Sequence, residues 1–132
     1  KEQNEEVFGL ETVEDQMKVF DAISYEIQAE ELVKMAKSDL EKDKAELAKM
    51  MEIYKNKDIE GMLKMMDNSD NKITADNQEI LLNNRNRNWI PVMAKTMKEK
   101  PTFFGVGAGH LAGDEGVIKL LRKQGYKVEA VK

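Results

Sequence analysis

The sequence contains no cysteine, which excludes disulfides and thiolate-ligated zinc and leaves the redox compartment open. It contains one histidine, His110, so a complete zinc site drawn from this chain alone would be unusual. No apolar run approaches the roughly 20 residues that a membrane helix needs. Lys and Arg are scattered among acidic residues and form no stripe, so nucleic-acid binding has no electrostatic footprint. A P-loop, a GxGxxG opening a helix, a GxSxG elbow and an HExxH pair are all missing. The opening KEQNEEVFGLE has neither a basic leader nor an apolar core, so it does not read as a signal peptide. It also lacks an initiator Met, which suggests a fragment or a processed product of something longer.

What is present fits one soluble globular unit: 132 residues, 41% hydrophobic and 35% charged, with a net charge of −4. Residues 7–10 (VFGL) form a short apolar run that reads as a buried strand. Thr12 with Asp15 three residues on is a capping pattern, and Val13, Met17, Phe20 and Ile27 extend a helix to about residue 35. Ser38 with Glu41 starts a second helix whose stripe is Leu40, Leu47, Met50, Met51 and Tyr54. A third runs from about 58 to 66, and residues 67–71 (DNSDN) form a turn cluster. The helical pattern over 74–97 contains Pro91, which predicts a kink or break near Arg87 and Asn88.

Residues 102–107 (TFFGVG) are the best strand pattern, followed by the GAGH loop at 107–110. Asp114 then caps a helix closed by Gly125, and residues 126–131 alternate like an edge strand. The predicted order is β-α-α-α-α-β-α-β. It describes a partial three-layer α/β domain over 1–132, with a small, mainly parallel sheet and an inserted helical segment over 12–97. Residues 102–131 would be its right-handed β-α-β unit. Three strands are thin cover for so many helices, so further strands are expected from a missing half or a second chain.

Ligands in open α/β sheets bind beyond the carboxyl ends of the strands. Glu11 follows one predicted strand and the GAGH loop follows another. If those strands are parallel neighbours, Glu11 and His110 face one crevice. His110 titrates near neutrality and is a common metal ligand when neutral, and Gly107 and Gly109 would allow the turn that presents it. A structural histidine is the plainer reading. For Glu11 the plainer reading is a carboxylate favoured by a helix N-terminus.

On a helical wheel over 80–97, Leu82, Trp89, Val92, Met93 and Thr96 share one side with Arg85. A guanidinium there needs a partner. It either snorkels past Trp89 to water or reaches a carboxylate such as Glu11. Arg87 falls on the polar side as a solvated charge. The nine methionines lie mostly at helical spacing, as core packing requires.

The segments NNRNRNWIPVMAKTM and TFFGVGAGHLAGDEGVIKLLRKQGYKVEAV, with GLET followed by Gln16 near the start, resemble the TraB/GumN (TIKI-like) family. The GxxH at 107–110, the Arg85-Asn86 pair and the closing LLRKQGYKV carry the likeness. The resemblance implies a metal-assisted, peptidase-like hydrolase whose site draws on two GxxH histidines, a Glu and an Arg. Carried to this chain, those are His110 and Glu11, as ligands of a divalent metal ion, and Arg85. The first GxxH lies in an N-terminal half that this sequence does not contain, so the chain alone would be incomplete as an enzyme. The alternative is a non-catalytic peptide-binding or regulatory module using the same crevice. The family also implies an extracytoplasmic setting (secreted, periplasmic or lipoprotein-anchored) and a peptide or protein as substrate or ligand.

Overall fold

A computed structural model describes residues 6–131; most of the charged leader read above for a signal lies outside them. The elements are α1 (Val13–Asp21), α2 (Tyr25–Lys37), α3 (Leu40–Lys55), α4 (Ile59–Asp67), α5 (Lys72–Asp76), a π turn (Glu79–Asn83), α6 (Asn84–Glu99), a 3₁₀ turn (Ala108–His110) and α7 (Val117–Lys123).

The α/β expectation is overturned: among the described residues there is no strand and no sheet. Residues 7–10, 102–107 and 126–131 are irregular chain, and no backbone hydrogen bond joins one to another. Their alternation is nonetheless real. Phe104, Val106, Tyr126 and Val128 are half-buried while Phe103, Gly105, Lys127 and Glu129 between and beside them are exposed. A period of two orients side chains, but a strand exists only when a neighbour supplies the ladder. No parallel β-α-β unit is formed, and the strand-end argument for a shared crevice falls with it.

The starts of α1 to α5 follow side-chain capping, whereas α7 starts after Gly116 without one, so the cap expected from Asp114 is not formed. Thr12 and Asp15 form a reciprocal capping box at the start of α1. The single helix expected to residue 35 is broken at Ala22–Ser24 instead. Ser24 caps α2, and the Gln28 side chain donates to the carbonyls of Phe20 and Ile23 across the break. Asp39, not Ser38, caps α3, because the Ser38 hydroxyl is engaged by the Met35 carbonyl at the end of α2 and by Asp43.

Pro91 does not break α6, which runs through it from Asn84 to Glu99. Its ring lies on the exposed side of the helix, where the unpaired carbonyl one turn back costs least. The irregularity sits upstream, as the π turn closed by the Asn84 N–H on the Glu79 carbonyl.

The core gathers on one side of α6. Trp89, Ile90 and Met93 pack with Val117 of α7, and Leu10, Phe104, Val106, Leu120 and Leu121 close around them. Met62, Met65 and Met66 of α4 are half-buried, and α4 packs on the 3₁₀ turn. Met17, Met35, Met50 and Met51 are exposed, so core packing describes only part of the methionine set.

Candidate functional site

The site forms where α6 meets the chain before α1 and the 3₁₀ turn. Residues of α6 spaced by three and four project to one face, which sets Arg85, Asn86 and Trp89 side by side. Arg85 grips Glu11 bidentately, Nη2 to Oε1 at 2.6 Å and Nε to Oε2 at 3.1 Å. Its remaining Nη1 donates to the Leu81 carbonyl at 2.9 Å. Trp89 Nε1 donates to Glu11 Oε2 at 3.0 Å, and the guanidinium lies 5.1 Å from the Trp89 ring centre.

The Arg85 hydrogen bonds hold the Glu11 carboxyl below the usual carboxylate range, with Trp89 adding to them and burial opposing. A carboxylate saturated in this way is a poor base and a good electrostatic anchor.

His110 is reached through the other face of Trp89's surroundings. The two rings lie 4.4 Å apart, tilted by 39°. The 3₁₀ turn is closed by the His110 N–H on the Gly107 carbonyl at 2.9 Å. His110 Nδ1 meets Asn86 Oδ1 at 2.7 Å, and the Asn86 amide is almost completely buried, at 1% exposure. Burial pushes the His110 pKa down to about 4, reinforced by the Arg85 charge and opposed by Glu11. The imidazole is therefore neutral near pH 7, the form that binds metals.

Glu11, Arg85 and His110 are thus brought together, with Trp89 between the ion pair and the histidine. Three corrections accompany this. Gly107 has φ −62°, and positive φ among the glycines is found at Gly113 and Gly125, so Gly107 and Gly109 do not act by left-handed backbone. Gly109 instead admits close approach: a Cβ there would lie 3.3 Å from Met66 Sδ.

The wheel also centred the buried stripe on the wrong residue. The buried positions are Leu82, Asn86, Trp89, Ile90 and Met93, while Val92 is 40% exposed and Arg85 sits on the flank. Asn86 and Trp89 were missed as site residues, although a polar side chain at position 86, four after Leu82 and three before Trp89, marks a buried amide. Arg87, on the other side, pairs with Glu79 and Glu115.

A pocket of about 480 Å³ opens beside the ion pair, lined by Glu11, Arg85, Asp15, Lys18, Asn84 and Asn88 among others, but not by His110. Among the described residues no group of three or more His, Asp or Glu could hold a metal ion. Glu11 is already occupied by three donors, and His110 alone retains a ring nitrogen, Nε2, with no hydrogen-bond partner among the described residues. The described residues therefore fit one ligand position and do not by themselves make a metal centre.

A sequence profile of the TraB/PrgY/gumN family matches residues 1–130. Among curated proteins, "Metalloprotease TIKI2" of Xenopus tropicalis is 43% identical over 47 residues, a stretch covering 36% of this chain and 9% of that relative's length. No solved structure matches.

Proposed function

The chain belongs to the TraB/PrgY/gumN family, and on that premise we propose that it carries part of the site of a metal-dependent hydrolase acting on peptides. The observation that supports this reading most directly is His110, neutral and buried, with Nδ1 tied to Asn86 and Nε2 unpartnered among the described residues. In this reading Nε2 of His110 is one ligand of a divalent cation, and the remaining ligands come from outside the described residues. The cation would supply Lewis-acid polarisation of a carbonyl or activation of water.

Glu11 and Arg85 hold charge and geometry beside it. With its carboxyl kept ionised by Arg85, Glu11 does not take up the substrate's proton, and the general base lies elsewhere. Trp89 touches both, its ring against the imidazole and its Nε1 donating to Glu11.

The second reading is a peptide-binding module without turnover. It is favoured by the pocket at Glu11 and Arg85, which His110 does not line. The test uses the longest natural protein that contains this sequence, a mixed peptide library and added divalent cations. Cleavage that is abolished by a chelator, and lowered at least a hundredfold in His110→Ala, is the expected result. Peptide retained intact and bound equally well with or without chelator would overturn the hydrolase and favour the binding module.

A further inference from the structure

The Asn86 carboxamide sits at the centre of the buried face of α6, at 1% exposure, and all of its polar atoms are engaged. Nδ2 donates to two main-chain carbonyls, Glu115 at 2.8 Å and His110 at 3.3 Å. Oδ1 faces His110 Nδ1 at 2.7 Å. This arrangement has one consistent orientation. Exchanging the amide oxygen and nitrogen would set Oδ1 against the Glu115 carbonyl, acceptor against acceptor, in a buried place where an unpaired polar contact costs most. Oδ1 therefore accepts, and the atom opposite it must donate.

We propose that Asn86 is a positioning residue that locks His110 in the tautomer protonated at Nδ1, leaving the lone pair of Nε2 as the nitrogen offered to a ligand. Which ring nitrogen carries the proton is set by the bond the other one makes. Here the setting group is held from two sides. The Glu115 carbonyl anchors the amide just before α7, and the His110 carbonyl ties the same amide back to the residue it orients. The contact with Trp89 limits rotation of the imidazole about its own axis. The proposal rests on His110 being the functional histidine, but it assigns a protonation state that exists whether or not any metal or peptide is bound.

The decisive measurement is the ring ¹⁵N spectrum of His110 at neutral pH without added metal, its signals identified as those absent from His110→Gln. A protonated, pyrrole-like Nδ1 with a bare, pyridine-like Nε2 is expected. In Asn86→Ala the pattern should be lost, with the proton moving wholly or partly to Nε2. Asn86→Leu fills the same space without an acceptor opposite Nδ1 and should lose the pattern too, an outcome that a merely space-filling role for Asn86 would not give.

A wild-type spectrum with Nε2 protonated overturns the proposal, as does a folded Asn86→Ala with the wild-type pattern. Should Asn86→Ala not fold by circular dichroism, the wild-type and Asn86→Leu spectra decide, and if neither variant folds the wild-type tautomer alone decides. Failure of the hydrolase reading would leave all of these spectra unchanged, so the two ideas fail separately.

Discussion

His110 is held uncharged in the folded protein while the same side chain in an unfolded chain accepts a proton near pH 6.5, and this difference has a thermodynamic consequence. Its folded pKa is lowered to about 4, so between these two values the unfolded state binds more protons than the folded one. The stability contribution is fully present above about pH 6.5 and is lost as the pH falls toward 4, amounting to roughly 3 kcal/mol over the window. Glu11, whose pKa is also lowered, adds a separate loss that begins only below its unfolded value of 4.5. Urea midpoints of the metal-free protein should therefore fall between pH 6.5 and 4.5 in the wild type and stay nearly flat in His110→Gln. An equal slope in both would assign the effect to another group. At this scale Glu11, Arg85 and His110 are legible in the sequence because a charge on an apolar face and a histidine after a Gly-rich turn are local anomalies. Asn86 is less so, since an amide on a helix is unremarkable until its burial is known.

Helix ends carry their own energetics. α3 and α7 terminate in the same motif, with the residue after the cap donating three back and the next donating five back. In α7 the left-handed position is Gly125, at φ +89°; in α3 it is Lys57, at φ +58°. A side chain in that conformation costs roughly 1 kcal/mol relative to glycine, so Lys57→Gly should raise stability by about 0.5–1 kcal/mol, offset in part by unfolded-chain entropy. Gly116, before α7, is the opposite case. A Cβ there would press well inside contact distance of the carbonyl oxygens of Leu111 and Ala112. Gly116→Ala should destabilise by about 2 kcal/mol or more and disturb the neighbouring Glu115 carbonyl that anchors Asn86. Thermal denaturation of both variants, one moving up and the other down, checks the pair. Gly125 was readable as a helix stop, whereas Gly116 was not, because its constraint comes from backbone folded against it.

Across the whole molecule, burial is uneven. α6 carries four buried residues, while α1 and α3 carry none, and Phe20, Leu32, Met35, Leu47 and Tyr54 are all more than half exposed. Opening free energy follows buried contacts. Amide exchange should accordingly be slowest in the middle of α6, at Trp89, Ile90 and Met93, and fastest in α1 and α3. Equal protection across all helices would contradict this distribution of the core.

By itself the sequence determined the largely helical middle of the chain, the cap of α1 and the stop of α7, the candidate triad of Glu11, Arg85 and His110, and the family. Each of these depends on short-range spacing or on a pattern carried by the chain alone. Tertiary structure decided whether the alternating segments became a sheet, and among the described residues they did not. Strand pairing needs a neighbour's amides and carbonyls, which no local pattern supplies. Tertiary structure also decided that Asn86 lies at the centre of the buried stripe and that Trp89 stands between the ion pair and the histidine. Those facts depend on which surfaces α7 and the 3₁₀ turn cover, and a helical wheel holds no record of what packs against it.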